Sequence, residues 1–273
     1  MTKRIASAAV ALALLFTVLY LNDILGFPLY NYVLAGIILM GLYEVYRPFG
    51  FIRRLPLAIL GFAFGISLAF GNLSSGQFVI AVICFYMLLM FILAMCYHKT
   101  IKFSDICILL FTTIYISLSL AHVRLLKETS YGNFMIYVIC IGAFMTDTGA
   151  YFVGRFFGKN KLLPDISPNK TVEGAAGGLV TAILSFFIFG LVVHFGFAPV
   201  QPNWGRLMLV GLVSSAAAQI GDLAASMIKR ELNLKDYGEI MPGHGGILDR
   251  LDSLIFVAPV VYHLNALFPI LRG

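Results

Sequence analysis

The chain has 273 residues, 60% of them hydrophobic and only 12% charged, with a mean hydropathy of +0.92 and a formal net charge of +6. A soluble domain of this length is excluded by long runs nearly free of charge, because a run of about 20 apolar residues spans the roughly 30 Å hydrocarbon layer as a helix. The composition points to an all-α, polytopic integral membrane protein.

The first apolar run, residues 5–22, follows Lys3 and Arg4. It is longer than the apolar region of a signal peptide and no small-x-small cleavage site follows it, so it reads as a retained first span. Further runs fall at 29–45, 55–71, 77–97, 104–121, 133–154, 174–197, 205–227 and 252–270, which gives about nine predicted helices. Backbone groups in lipid must be satisfied within the segment, and the runs lack the alternation of a membrane barrel. No internal repeat or linker interrupts the chain. It is expected to form one integral domain over 1–273, with the polar, motif-bearing half at about 133–273.

The basic residues set the expected orientation. With the N-terminus in the cytoplasm, only Arg124, Lys127, Arg206 and Arg272 fall on the far side, which is the asymmetry of the positive-inside rule. That asymmetry accounts for the net charge without nucleic acid, and such a face attracts anionic membrane lipids. The four cysteines, Cys84, Cys96, Cys107 and Cys140, lie in apolar runs without metal-site spacing and are expected to be small core residues.

Two cytoplasmic segments differ from plain basic loops: 146–178 and 221–252. Both mix acids, bases, glycines and prolines. Asp222 follows the run LMLVGLVSSAAAQIG and is predicted well inside a helix. An acid at membrane depth costs about 2.5 kcal/mol or more unless it is paired or faces water, which makes it a functional candidate. Ser226 and Lys229 share its helical face. Asp147 repeats the pattern near the end of the sixth run, with pairing to a nearby base as the plainer alternative. Asp249 and Asp252, at i and i+3 where the last helix begins, either favour the helix dipole or act as ligands.

These carboxylates form a set of hard oxygen donors without cysteine, which suits Mg²⁺ held with substrate phosphates better than zinc. His244 is a ligand, a general base, or a hydrogen-bonding residue that fixes the glycine-rich turn. Lys170, Lys229, Arg230, Lys235 and Arg250, with the peptide N–H groups of the GHGG turn that includes Gly245 and Gly246, are the expected polyphosphate contacts. The glycines let a backbone approach closely. Gly174 and Gly178 stand in a GxxxG spacing that suits close helix packing.

The stretch SMIKRELNLKDYGEIMPGHGGILDRLD, from Ser226 to Asp252, resembles the signature of the phosphatidate cytidylyltransferases, also called CDP-diacylglycerol synthases. Met241 is its one mild departure. The segment DTGAYFVGRFFGKNKLLPDISPNKTVEGAAGG is also similar to that family, with the ISPxKTxEG core at Ile166 to Gly174 that adds Asn169 and Glu173 to the substrate-binding candidates. The N-terminal half carries no matching motif. The resemblance implies cytidylyl transfer from CTP to phosphatidic acid in phospholipid biosynthesis, with Mg²⁺ required and room for a second cation. It implies Asp222 and Asp249 as the metal carboxylates, with Asp147 or Asp252 sharing a second ion.

A homodimer is expected from the family and the small-residue faces, and a bacterial plasma membrane with the active site on the cytoplasmic side is the expected location. Two rival functions share some of these features. A secondary transporter would place coupling acids near mid-membrane in two repeated halves, and a CTP-dependent lipid kinase would share a cytoplasmic polar site.

Overall fold

The protein is described by a computed structural model covering residues 17–18, 20–22, 24, 28–197, 200–238 and 245–272. The first predicted span and its Lys3 and Arg4 lie almost wholly outside the described residues. Each later apolar run forms a helix. The chain is therefore helical, with two short antiparallel strand pairs besides. It divides into two compact units: Met1–Leu125 with Asp236–Arg250, and Leu126–Lys235 with Leu251–Gly273.

In the first unit, α1 (Leu29–Tyr46) leads through a 3-10 turn, Phe51–Arg53, to α2 (Leu55–Phe70). Then come α3 (Gly76–Cys96), whose start is capped by Ser75 Oγ accepting from the Phe78 amide at 3.4 Å, and α4 (Phe103–Lys127). Helix α2 has 16 residues, about 24 Å of rise, which is short of a full bilayer crossing. Glycine permits its packing on α1. A methyl group on Gly65 would come within 2.8 Å of Ile38, and one on Gly61 would collide with the Tyr46 hydroxyl. Three buried hydroxyls between the helices pair with one another. Thr113 Oγ1 meets Tyr46 Oη at 2.5 Å, receives the Tyr86 hydroxyl at 2.9 Å and donates to the Leu109 carbonyl.

In the second unit, α5 (Gly132–Phe157) contains a five-residue π segment, Ile141–Met145. A hairpin follows, with β1 (Lys161–Leu163) antiparallel to β2 (Ser167–Thr171) and Lys161 opposite Thr171. Thr171 Oγ1 accepts from the Gly174 amide at 3.1 Å and so starts α6 (Val172–Gly196), by the usual N-cap logic. Asn203 starts α7 (Trp204–Glu231) in the same way. Strands β3 (Gln201–Pro202) and β4 (Leu271–Arg272) pair antiparallel, and α8 (Leu248–Leu267) begins with residues of the first unit and continues in the second.

The seam between α5 and α6 is built of small residues. Added methyls would bring Gly174 to 2.8 Å from the Ala150 carbonyl oxygen and Gly178 to 3.0 Å from that of Thr146, while Gly177 would run into Val153. The GxxxG spacing thus does what it was expected to do. Helices α1, α3, α4, α5, α6 and α7 are the six of the described residues long and apolar enough to cross a membrane.

The cysteines depart from expectation. Cys84, Cys96 and Cys107 are exposed, so they are not core residues, while Cys140 is half-buried. An apolar side chain solvated by lipid has no hydrophobic drive to turn toward other helices, so an apolar run marks a span without marking an interior.

Candidate functional site

The polar residues of the second unit converge where two backbones approach closely. A methyl group on Gly221 of α7 would lie 2.6 Å from the Asp252 carbonyl oxygen, so only a glycine admits α8 at this point. The next residue, Asp222, is thereby brought beside Asp252. Asp222 Oδ2 makes an ion pair with Lys170 Nζ at 2.6 Å, and the ammonium nitrogen itself is closed to solvent. Ser226 Oγ, one turn along α7, reaches Asp222 Oδ1 at 3.5 Å.

Two more acids complete this cluster. Asp252 Oδ1 accepts from the Ser253 amide at 2.7 Å, and the Ser253 hydroxyl donates to Asp147 Oδ2 at 3.0 Å. The negative charges of Asp222 and Asp147 bear on the Asp252 carboxylate, and the positive charge of Lys229 opposes them. The π segment ends immediately before Thr146, so the widened turn sets the rotation at which Asp147 leaves α5. Three carboxylates, two ammonium groups and two hydroxyls are thus gathered by α5, β2, α7 and α8.

The other candidates of this unit have different surroundings. Glu173 clamps the turn before the hairpin, accepting from the Lys159 amide at 3.1 Å and the Asn160 side-chain amide at 2.8 Å. Arg230 Nε donates to the Ile166 carbonyl at 3.3 Å, and its Nη1 to the Leu234 carbonyl at 3.4 Å, tying the end of α7 to the ISPNKT segment. Asn169 and Lys235 are exposed.

In the first unit, four described residues of the signature stretch, Tyr237, Gly246, Ile247 and Leu248, donate their amides to two carboxylates. Asp249 Oδ2 accepts from the Gly246 amide at 2.9 Å and the Tyr237 amide at 2.8 Å. Glu44 of α1 accepts from the Ile247 amide at Oε1, 2.8 Å, and from the Leu248 amide at Oε2, 2.9 Å. Gly245 adopts φ +80°, the left-handed region that glycine tolerates without strain. The amide of Gly246, expected to face polyphosphate, is therefore donated to Asp249 within the protein. Arg250 is exposed, and His244 lies outside the described residues.

Glu44 and Ser253 were not singled out from the sequence. Glu44 carried a readable signal, since it is the one acid in the apolar run 29–45 and meets the same depth criterion as Asp222. Ser253 carried none, because a serine at a helix start is unremarkable.

These features define a class: a polytopic helical membrane protein whose acids and bases are gathered into a charged site suited to an anionic, phosphate-bearing ligand. Residues 2–268 match the family model described as "Cytidylyltransferase family". The chain is 35% identical to a phosphatidate cytidylyltransferase of Bacillus subtilis (strain 168), with 98% of each chain covered. It is 40% identical to a phosphatidate cytidylyltransferase of Staphylococcus saprophyticus over 59% of each chain, and 42% identical to one of Haemophilus influenzae over 47% of this chain and 44% of that one. The chain belongs to the cytidylyltransferase family.

The donor set fits the divalent cation expected of such chemistry. Asp147, Asp222 and Asp252 offer hard oxygen atoms only. Among the described residues no three of His, Cys, Asp and Glu are arranged to hold a metal ion unaided. Mg²⁺ usually takes one or two carboxylates and draws its remaining ligands from water and substrate phosphates.

Proposed function

We propose that the chain transfers the cytidylyl group of CTP to phosphatidic acid, giving CDP-diacylglycerol and pyrophosphate. The observation that carries this reading is the full-length similarity to the Bacillus subtilis enzyme. The charged cluster around Lys170 and Asp222 supports it.

The reaction forms a bond from a lipid phosphate oxygen to the α-phosphorus of CTP and breaks the α–β phosphoanhydride bond, so pyrophosphate leaves with the electron pair. A phosphate monoester has a second pKa of about 6, so the nucleophile is already largely ionised at neutral pH and needs no dedicated base. The difficulty is to bring two anions together in line and to stabilise the departing charge. In this reading Lys170 and Lys229 bind phosphate oxygens from the second unit. Ser226 orients the Asp222 carboxylate, and Glu173 and Arg230 hold the hairpin that presents Lys170. Lys235 and Asn169 are an exposed cation and an exposed amide for the nucleotide, and Arg250 is assigned to phosphate charge.

Mg²⁺ is assigned to Asp222 with Asp252, and a second cation to Asp147; bound there, it would neutralise phosphate charge. The initial pairing of Asp222 with Asp249 is less favoured, because Asp249 Oδ2 already holds two backbone amides. Asp249 acts in this reading by fixing the glycine-rich segment, and a hydrogen bond to that segment is one of the three readings of His244. About nine spans with the N-terminus in the cytoplasm place the site at the cytoplasmic surface of a bacterial plasma membrane, where both substrates meet. Assembly as a homodimer remains part of the reading.

The test is incubation of purified chain with CTP labelled at the α-phosphorus and phosphatidic acid in mixed micelles. Label should enter the lipid extract with release of unlabelled pyrophosphate. Intact protein that leaves the lipid unlabelled would overturn the reading; label entering the lipid from the γ-position instead would make the chain a kinase.

A further inference from the structure

Glu44 is 1% exposed, near the end of α1, and has no role in the reaction as described above. Its two carboxylate oxygens accept one amide each, from Ile247 at 2.8 Å and Leu248 at 2.9 Å. These amides stand at the start of α8, among the N–H groups that a helix cannot satisfy from within. A buried carboxylate against them gains both charge-assisted hydrogen bonds and the favourable end of the helix dipole. The surrounding glycines leave room for this side chain. A methyl on Gly238 would lie 2.7 Å from Glu44 Oε1, and one on Gly246 would collide with Oε2.

With both oxygens engaged and no exposure to solvent, Glu44 cannot reach a substrate. It acts on the helix. The next residues of that helix within the first unit are Asp249 and Arg250, whose bearings follow from the direction in which α8 starts.

We infer that Glu44 is a positioning residue: it clamps the Ile247 and Leu248 amides and so sets the first turn of α8, which carries Asp249 and Arg250. The inference rests on the reaction proposed above. It gives the N-terminal half, which carries none of the family's motif, a specific task in catalysis.

The clamp is tested apart from the reaction by hydrogen exchange on the full chain in phospholipid nanodiscs without substrate. In Glu44→Gln, which replaces one acceptor oxygen by an amino group, the amides of Ile247 and Leu248 should exchange at least about tenfold faster, since hydrogen bonding to a buried charge is lost. The consequence is tested with CTP and phosphatidic acid. Glu44→Gln should lower kcat about tenfold or more while the KM for CTP changes less than about twofold, because no substrate contact is removed.

A compensating pair keeps the test decisive where Glu44→Gln folds poorly. Gly246→Ala should be impaired by collision with the carboxylate, and Glu44→Asp with Gly246→Ala should recover several-fold activity over Gly246→Ala alone, because the shorter acid withdraws. Unchanged exchange and kcat in Glu44→Gln would overturn the inference, as would a double variant no more active than Gly246→Ala. A wild-type chain that labels no lipid, together with faster exchange in Glu44→Gln, would refute the proposed reaction and leave the clamp standing.

Discussion

Lys170 and Asp222 stand 2.6 Å apart, joining the strand β2 to the interior of α7. Each offsets the cost of burying the other, and removing one partner of such a pair is far worse than removing both. An incoming phosphate and its cation would open the pair by taking Lys170 and Asp222 respectively.

Asp222→Asn should therefore lower turnover by about 100-fold or more, the loss typical when a group that stabilises transition-state charge is removed. Lys170→Gln should do comparable harm. Steady-state rates from purified variants, with thermal unfolding measured alongside, check both. Near-normal Mg²⁺-dependent turnover of folded Asp222→Asn would remove Asp222 from the metal site.

Asp252→Asn separates the two proposed metal assignments. If Asp252 shares the cation with Asp222, the Mg²⁺ concentration for half-maximal rate should rise about tenfold or more, following the loss in affinity seen when metal sites lose a supporting group. Asp249→Asn should instead leave that concentration near normal and speed amide exchange at Tyr237 and Gly246. The reverse outcome would restore the pairing of Asp222 with Asp249.

Glu173 holds the turn of Lys159 and Asn160 from the first turn of α6. Glu173→Ala should loosen the hairpin that presents Lys170, raising the KM for CTP several-fold with a smaller change in kcat. Titrations of CTP at saturating lipid measure this. An unchanged KM would confine Glu173 to folding.

The seam of α5 and α6 gives a stability prediction. Gly177→Ala places a methyl against Val153, so it should destabilise by about 1–3 kcal/mol as overpacking does. Gly196→Ala, where nothing lies within 4 Å of the added methyl, should be neutral. Thermal unfolding in one detergent compares the two.

The orientation is tested with single cysteines placed at Lys161 and Arg206 in a chain whose four native cysteines are replaced. A membrane-impermeant maleimide added to intact cells should label Arg206→Cys, and Lys161→Cys only after the membrane is opened. The opposite pattern would invert the topology.

Hydropathy located the spans closely. The run at 29–45 became Leu29–Tyr46 and that at 205–227 became Trp204–Glu231, the latter extended because a helix continues through Lys229 and Arg230 once it enters polar surroundings. Asp147 and Asp222 were singled out because ionisable groups at membrane depth are costly and rare, and Asp252 because it stands at the start of the last predicted helix. The Glu44 clamp was not, since its partners lie 203 and 204 residues away and hydropathy carries no long-range pairing. The hairpin from Lys161 to Thr171 read only as a loop, because Pro168 and Asn169 are poor strand residues; pairing and the Thr171 cap outweigh their propensity.

The widened turn at Ile141–Met145 makes the bearing of Asp147 a matter of counting. Each residue of an α-helix advances the chain by about 100°, so removing one residue from that segment would swing Asp147 a quarter turn or more away from Ser253 without altering any side chain. Replacing residues one at a time across 141–145 would miss this dependence, whereas a single-codon deletion would expose it as lost activity. The accessible variation of this segment is therefore asymmetric: exposed apolar letters such as Phe144 and Met145 are exchangeable, and its length is not.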